Sequence, residues 1–460
     1  MVGNYGIPPE SAHNLQQALI HGTLLYRAEI SWTGTRKEEK EVKVLTNKMG
    51  RASLGVRRTT PVGIITAESA LPPARALLDH RQASFALRLM ARPVGGGGQE
   101  EILEKKGSNL TARIREKCGL SRRETVEAQT LEEFRSLRAW VIVDRKGDPQ
   151  RIAREWKDHQ STIWTNGSRM EEGAVGVAIV WKKEEEWKGK GQYIGRNKGV
   201  FDAETFAVLE AVRTFDRKRE GGQHYSIFSD SQVALARVQH DRTGPAQALA
   251  KEAIQISESL ARRGNTVTIR WVPARLGVEG NEQADALAKR AVEGREDRVG
   301  PSFILEASLS HLTRKVTEAR SDAINRWIRE HPGRRRRYCP PKGGKMRKAL
   351  AKARKELAGR FYQLLSGHTA MGNHLLRANQ AKRDECFWCG SGERQTRFHL
   401  FVKCRRWKPE IRRLWQRVRL DSGWGGAPSI RRLLETRGTC WQSWSFWRKA
   451  RLGKCQAESS

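Results

Sequence analysis

Residues 163–181 have the sequence IWTNGSRMEEGAVGVAIVW, in which two apolar runs flank a polar segment. The turn-forming residues Asn166, Gly167 and Ser168 follow the first run, and AVGVAIVW at 174–181 forms the second. Apolar runs of this length between turn signals are typical of buried strands. The stretch therefore predicts a strand, a turn and a second strand, with Asn166 at the end of the first.

A repeating order of strands and helices extends from this stretch over about 151–296. Further strands are predicted at 191–200, 225–229 and 266–272, and helices at 203–220, 231–240, 244–262 and 281–293. A hairpin followed by alternating helices and strands indicates an α/β layered domain.

Acidic residues fall at the predicted strand ends and helix starts of this domain. Glu204 lies in FDAETFAVLEAV, Asp230 follows YSIFS, and Asp285 lies in GNEQADALAKR. Because strand ends and helix starts of such a sheet converge on one edge, these side chains can meet there with Asn166. Taken singly, each acid is better explained as a helix cap or a solvated charge.

Carboxylates that meet at one edge repel one another, and each costs stability unless a cation neutralises it. Mg²⁺ suits such a site because it takes oxygen ligands and keeps waters and substrate phosphate oxygens. Two such ions can activate a water and stabilise the leaving oxygen of an in-line attack on phosphorus. The acids as a set therefore favour phosphodiester chemistry, an interpretation that depends on the surrounding motifs.

Four motifs, TNGSRMEEGAVGVAIVW, FDAETFAVLEAV, YSIFSDSQVAL and WVPARLGVEGNEQADALAK, occur in the order found in type 1 ribonucleases H. Residues 151–296 resemble that family. The resemblance implies a three-layer domain with a five-stranded mixed sheet, and hydrolysis of the RNA strand of an RNA–DNA hybrid with two Mg²⁺ ions. It also implies that the metal-binding positions are Asn166, Glu204, Asp230 and Asp285.

Two positions depart from the family's pattern. The family has Asp at the position of Asn166, and it usually has Gly-His where this chain has Ala274-Arg275. An amide oxygen is a weaker ligand than a bridging carboxylate, and loss of such a group costs orders of magnitude in rate. Arg275 cannot exchange a proton near pH 7, whereas the family's histidine resembles a proton-handling residue. We therefore expect hybrid binding with weak or no cleavage.

A second ligand pattern lies in CFWCGSGERQTRFHLFVKC at 386–404. Cys386, Cys389, His399 and Cys404 have the spacing Cys-x2-Cys-x9-His-x4-Cys, which favours a closed, tetrahedral and structural Zn²⁺ site. Because a short turn cannot bury a core alone, zinc would supply its folding energy. Reduced cysteines without a metal are the alternative.

The chain is strongly basic: its 460 residues include 86 Lys and Arg against 51 Asp and Glu, a net charge of +35. This clustered basic charge, mixed with Trp, favours a nucleic-acid partner and no small-molecule substrate, with solvated surface charge as the alternative. The Trp rings of WQSWSFWRKARLGK at 441–454 could stack on bases if exposed, and a small aromatic cluster that closes the final helices explains them equally well. No stretch approaches the roughly 20 apolar residues of a membrane span, and the start lacks a signal-peptide pattern. We therefore expect an intracellular protein that binds no membrane.

The flanking segments are predicted to be mostly helical, with Leu and Ala at helical spacing in 14–30 and 74–92, and an apolar stripe from Leu350 to Leu364. RRTTP, LPPARALLDHRQ and FALRLMARP resemble the thumb and connecting region of non-LTR (LINE-like) retrotransposon reverse transcriptases of fungal type. RFYQLLSGHTAMGNHLLRAN and the Cys/His motif resemble the C-terminal region of the same polyproteins. The resemblance implies the C-terminal part of such a polyprotein, without its polymerase palm motif, and a nuclear location.

The predicted organisation follows these boundaries. It comprises a helical remnant of the reverse transcriptase thumb and connection at 1–94, a linker at 95–150, a type 1 ribonuclease H domain at 151–296, a basic helical segment at 297–380, a CCHC zinc knuckle at 381–410 and a basic Trp-rich tail at 411–460. The predicted function is binding of RNA–DNA hybrid, or of single strands, with impaired hydrolysis of RNA. The alternative is a non-catalytic nucleic-acid-binding retrotransposon fragment.

Overall fold

The computed structural model describes residues 6–91, 112–128 except 113, 117, 122 and 123, 141–144, 161–239 except 172, 244–294, 306–331, 341 and 346–435 except 424. Residues 436–460 of the predicted basic Trp-rich tail at 411–460 lie outside the described residues. The chain divides into two units, Met1–Gln82 with Glu318–Ser460, and Ala83–Thr317.

Helices dominate both flanking segments. In chain order the α-helices of the described residues are α1 (Pro9–Leu15), α2 (Gly22–Leu24), α3 (Ala28–Ser31), α4 (Arg36–Leu54), α5 (Val62–Ser69), α6 (Ala74–Met90), α7 (Val200–Lys218), α8 (Gln232–Gln239), α9 (Gln247–Arg262), α10 (Glu279–Glu293), α11 (Leu309–Glu330), α12 (Lys348–Ala351), α13 (Lys355–Ser366), α14 (Gly372–Arg377), α15 (Lys408–Ser422) and α16 (Ile430–Glu435). Gln16–His21 and His399–Lys403 are π-helices, and Arg405–Trp407 is a 3₁₀ helix. Within the described residues, every helix is too short or too polar to cross a membrane.

The unit Ala83–Thr317 is built on one mixed sheet. Its strands are β1 (Val141–Asp144), β2 (Thr162–Arg169), β3 (Val175–Lys183), β4 (Glu186–Gly195), β5 (His224–Ser229) and β6 (Thr266–Trp271). Their order is β1-β6-β5-β2-β3-β4, with β1, β6, β5 and β2 parallel and the β2–β3–β4 meander antiparallel. Strands β2 to β6 form the predicted five-stranded mixed sheet, and β1, from the segment predicted as a linker, extends its edge at β6.

Helices cover both faces of the sheet because residues along its strands point alternately to opposite sides. Ile163 of β2 packs with residues of α7, α8 and α9, including Val212 and Ile254. The next residue, Trp164, instead packs with Val180 and with Ala284 of α10. The arrangement is the predicted three-layer architecture, with helical segments before and after it.

The strand predicted at 191–200 has different bounds in the structure, where β4 spans Glu186–Gly195. Strand β4 starts earlier, at Glu186, because Glu184 and Glu185 adopt positive φ angles of 51° and 67° and form a two-residue turn. Such a turn matches the twist of the two strands that it joins, even though glutamate rarely occupies it. The strand also ends earlier, at Gly195, so that Val200 begins α7.

Local signals explain the helices of the other unit only in part. At the start of α4 the Thr35 hydroxyl accepts the N–H of Glu38 while the Glu38 carboxylate accepts from Thr35, which satisfies otherwise unpaired donors. The apolar stripe predicted from Leu350 to Leu364 is interrupted, because α12 ends at Ala351 and α13 begins at Lys355. The predicted helix at 74–92 is present as α6.

The Cys/His segment lies inside a hydrophobic cluster of the C-terminal helices. Buried members of this cluster include Leu364 of α13, Phe401 of the π-helix, Trp407, and Leu414 and Trp415 of α15. The indole N–H of Trp415 donates to the Phe401 carbonyl at 2.8 Å. The segment therefore shares a core with helices on both sides of it in the sequence.

Candidate active site and candidate metal centre

Parallel pairing of β2 with β5 brings Asn166 beside Asp230. The paired register runs to Thr165 opposite Ser229, and Asn166 and Asp230 are the next residues on the two strands. The indole N–H of Trp271 donates to the Asp230 carbonyl at 3.1 Å and so holds the chain after β5. The prediction that the first strand ends at Asn166 is wrong: β2 continues to Arg169, and beyond Thr165 it pairs only with β3.

Close packing of α7 on β2 brings Glu204 to the same edge. A Cβ at Gly167 would lie 2.7 Å from the Ala203 Cβ and 2.8 Å from the Glu204 nitrogen, so only glycine permits this approach. The backbone N–H of Gly167 donates a hydrogen bond to the Glu204 carboxylate. Glu204 is only 6% exposed.

The start of α10 brings Asp285 to this edge and adds a residue that the sequence analysis missed. Gly280 packs so closely on the Trp164 ring that a Cβ there would overlap the indole. Asn281 is buried, and its Nδ2 donates to Asp230 Oδ2 at 3.4 Å. Asp285, one turn later, is half-exposed and accepts from Lys289 Nζ at 2.6 Å. Asn281 and Lys289 each lie four residues from Asp285, a helical spacing that could have identified them.

The three carboxylates influence one another electrostatically. Burial, followed by the charge of Asp230 and then that of Asp285, raises the pKa of Glu204 to about 8, against the opposing hydrogen bond from Gly167. Burial and the charge of Asp285 also raise the pKa of Asp230, while the hydrogen bond from Asn281 lowers it. Glu204 Oε2 has no hydrogen-bond partner among the described residues. This combination of burial, like charges and an unpaired oxygen is a suitable environment for a cation.

Arg275 lies apart from this hydrogen-bonded group. It is exposed, in the loop between β6 and α10, and adopts a left-handed φ of 60°. The hydrogen bonds and ion pairs of the described residues include none between Arg275 and the three carboxylates. The structure therefore groups Asn166, Glu204, Asp230 and Asp285 at one edge, and it places Arg275 in a neighbouring loop.

The four Cys/His ligand residues form a compact set. The sulfur atoms of Cys386, Cys389 and Cys404 and a ring nitrogen of His399 all lie within 4.8 Å of one another. Cys386 Sγ is 3.9 Å from Cys404 Sγ, and Cys389 Sγ is 3.4 Å from His399 Nε2. A tetrahedral site with metal–sulfur bonds of about 2.3 Å separates its sulfurs by about 3.8 Å. The set therefore fits a tetrahedrally bound metal ion.

Short-range backbone contacts assemble this set. The Cys386 N–H donates to the Glu393 carbonyl at 2.8 Å, and the Gly390 N–H donates to the Cys386 carbonyl at 3.1 Å. Gly390 has a φ of 58°, which lets the chain turn back after Cys389. The Cys404 N–H donates to the His399 carbonyl at 2.7 Å across the π-helix. Every ligand is thus fixed by contacts within 386–404.

Burial keeps two of these thiols protonated when no cation is present. It raises the pKa of Cys386, and it raises the pKa of Cys404 to about 12. The hydroxyl of Ser391, which lies 3.1 Å from Cys389 Sγ, is the main cause that lowers the pKa of Cys389 to about 6. Because thiolates rather than thiols bind metals, a bound cation would reverse the effect of burial at Cys386 and Cys404.

Comparison with known proteins gives a family match within the sheet-containing unit. The family model described as RNase H matches residues 158–293. Among solved structures, RNase H1 from the halophilic archaeon Halobacterium salinarum NRC-1 is 21% identical, over 29% of this chain and 97% of that chain, with a TM-score of 0.24. LC11-RNase H1 in complex with RNA/DNA hybrid is 19% identical, over 30% and 99% of the two chains, with a TM-score of 0.25. The N-terminal RNase H domain of a Mycobacterium tuberculosis protein is 19% identical, over 28% and 97%, with a TM-score of 0.23. The match to the family model places an RNase H domain at residues 158–293.

Proposed function

We propose that this protein binds RNA–DNA hybrid through its RNase H domain and hydrolyses the RNA strand weakly or not at all. The matched family supports the hybrid as substrate, and the net charge of +35 supports a polyanionic partner. The observation that carries the proposal is Asn166 beside Asp230, where it brings a neutral amide to an edge that otherwise gathers carboxylates.

Glu204, Asp230 and Asp285 are the residues that would hold magnesium. The buried, unpaired Oε2 of Glu204 and the raised pKa values of Glu204 and Asp230 support a cation there. Bound magnesium would supply an activated water and would stabilise the leaving oxygen. The Asn281 amide holds one oxygen of Asp230. Asn166 offers a neutral oxygen ligand, so the site attracts divalent cations less strongly than it would with an aspartate at this position.

Arg275 supports the binding part of this proposal more than the catalytic part. Its guanidinium is positively charged at any physiological pH, so it cannot take up and release a proton during turnover. It is exposed in the loop between β6 and α10, where it can reach a phosphate of a bound strand. A phosphate contact at this position strengthens hybrid binding without restoring proton transfer.

The Cys/His set belongs to the proposal as a structural zinc site. Three thiolates and one imidazole in a closed tetrahedral arrangement favour Zn²⁺ over hard cations such as Mg²⁺. The cysteine ligands lie in or against the C-terminal hydrophobic cluster. The four residues would fill all four positions of a tetrahedral metal ion and leave none for a substrate. We assign zinc a role in holding this helical region together.

A second candidate function is nucleic-acid binding without any hydrolysis. Asn166 favours it, and so does the abundance of Lys and Arg. The motif resemblance leads us to propose further that the chain is the C-terminal part of a non-LTR retrotransposon polyprotein and acts in the nucleus. Salt-dependent preference for hybrid over duplex DNA supports either function, and magnesium-dependent cleavage separates them.

The deciding experiment compares the wild-type protein with Asn166→Asp on one labelled RNA–DNA hybrid. We expect both proteins to bind the hybrid with similar salt dependence, and the variant to cleave the RNA at least about 100-fold faster with Mg²⁺, since one charged group at such a site is worth several kcal/mol. Equal cleavage by both proteins would refute the role of Asn166. Failure of the wild-type protein to bind hybrid would refute the proposed substrate.

A further inference from the structure

Glu393 contacts two of the four Cys/His ligand residues. One oxygen of its carboxylate, Oε2, lies 2.8 Å from His399 Nδ1. Its backbone carbonyl accepts the Cys386 N–H at 2.8 Å. Glu393 thus joins the hairpin that carries Cys386 to the π-helix that carries His399.

The contact with the carboxylate determines which nitrogen of His399 is available to a metal. A neutral imidazole has one N–H donor and one nitrogen with a lone pair, and a carboxylate accepts only from the N–H. Glu393 therefore favours the tautomer with hydrogen on Nδ1 and the lone pair on Nε2. Nε2 is the atom that lies 3.4 Å from Cys389 Sγ. The Glu393 carboxylate and the Cys389 sulfur thus contact different nitrogens of the ring.

We propose that Glu393 is a positioning residue of the Cys/His centre, fixing the tautomer and the orientation of His399 for metal binding. The inference rests on the proposed zinc site. A ligand imidazole whose other nitrogen donates to a carboxylate is more basic and better oriented, and removing such a partner typically weakens metal affinity 10- to 100-fold.

A simple surface ion pair between Glu393 and a protonated His399 is the competing explanation. The carboxylate is 52% exposed, and Lys403 and Arg405 also lie close enough to attract it. An ion pair of that kind would compete with a metal, because a protonated imidazole has no lone pair for a ligand bond. Removing Glu393 would then leave zinc affinity unchanged or increase it. The two explanations therefore predict different results: only a positioning role makes zinc binding weaker when Glu393 is removed.

The test measures zinc affinity of the full chain by competition with a chromogenic chelator, for wild type, Glu393→Ala, Glu393→Gln and Glu385→Gln. We expect Glu393→Ala to bind zinc 10- to 100-fold more weakly, and Glu393→Gln to recover part of the loss because its amide oxygen still accepts from Nδ1–H. Glu385 is exposed in the same hairpin, so Glu385→Gln removes an equal charge and should bind like wild type.

Two spectroscopic measurements identify the cause of any loss. Nitrogen NMR of His399 should show Nδ1 protonated and Nε2 bound in the zinc-loaded wild type, and Co²⁺ absorption should show a tetrahedral site in the wild type and in Glu393→Gln. Unchanged zinc affinity in Glu393→Ala beside a tetrahedral wild-type site would overturn the role of Glu393. Absence of a tetrahedral site in the wild-type chain would instead overturn the zinc proposal itself.

Discussion

The two candidate metal centres of this chain differ in how their ligands are brought together. In the Cys/His centre, hydrogen bonds within 386–404 hold all the ligands, and the four donor atoms form a complete set. At the acidic edge, the side chains come from β2, α7, the end of β5 and α10, and long-range packing alone unites them. A local centre can be complete within one motif, whereas a centre assembled from distant elements depends on what each of them contributes, and at this edge β2 contributes the neutral amide of Asn166.

The strongest test of this comparison is Cys404→Ser. Cys404 is fully buried in the cluster that contains Trp407 and Trp415, and metal binding at a structural site contributes about 10–16 kcal/mol to folding in small zinc modules. We expect the variant to lose its zinc and the segment 355–435 to become sensitive to limited proteolysis. Zinc content and proteolysis of the full chain measure both effects.

Cys118 provides the matched control for that experiment. It is also buried, but it packs with Leu87 and Ile114 in the other unit. Cys118→Ala should therefore keep the zinc and the protease resistance of 355–435. A Cys404→Ser protein that retains zinc at the wild-type level would show that the four residues do not act as one ligand set.

The acidic edge is tested by Glu204→Gln in an Asn166→Asp background. Glu204 has an unpaired buried oxygen and lies within reach of the charges of Asp230 and Asp285. We expect the amide to reduce hybrid cleavage by about 100- to 1,000-fold, because it removes a charged ligand from the group that binds the cation. The rate of RNA hydrolysis at saturating hybrid measures this effect. Cleavage at the rate of the single variant would show that Glu204 binds no catalytic ion.

Much of the acidic site could be predicted from the sequence because its parts follow general rules of α/β sheets. The pairing of the parallel strands β2 and β5 ends at this edge, so the sequence predicts that Asn166 and Asp230 are neighbours. The two residues directly follow the last pair of the register, Thr165 and Ser229. The spacing to Asp285 could have placed Asn281 on the same helix face, but its hydrogen bond to Asp230 also depends on how closely Gly280 approaches Trp164. Spacing gives the face of a helix, but it does not give the depth of packing.

Other features could not be predicted because local signals were weak or misleading. Glutamates at 184 and 185 form the β3–β4 turn, although turn chemistry favours Gly and Asn there. The Cys/His spacing indicates a metal site but contains no sign that Trp407 and Trp415 pack around it. The charged helix α4 lies in the segment predicted to be helical, but its bounds were not predicted because its capping box at Thr35 and Glu38 is followed by few apolar residues.

The smallest expected effect concerns Glu127, an acid of the same unit with a raised pKa and no proposed metal. Burial, followed by the charge of Asp202, raises the pKa of Glu127 to about 7, while the Leu309 N–H and the Ser308 hydroxyl donate to it. The folded state therefore binds more protons than the unfolded state between about pH 4.5 and 7, and stability falls as pH rises through this window. Glu127→Gln should remove the fall and be more stable than wild type at pH 8 by about 1–3 kcal/mol.

Hydrogen-exchange protection of β5 and β6 in urea at pH 5 and pH 8 measures this difference. Glu306→Gln is the control, because Glu306 is exposed and both it and Glu127 adjoin the β-bridge between Val126 and Ala307. The same pH dependence in Glu127→Gln and wild type would show that Glu127 ionises freely in the folded protein.

In the Asn166→Asp background, Glu127→Gln should leave hybrid cleavage unchanged, unlike Glu204→Gln. At both Glu127 and Glu204, burial and the charge of a neighbouring acid raise the pKa of the carboxyl group. Only Glu204 also faces Asp285 and has an unpaired oxygen, so these two features, rather than the pKa alone, distinguish a metal ligand from a buried structural acid.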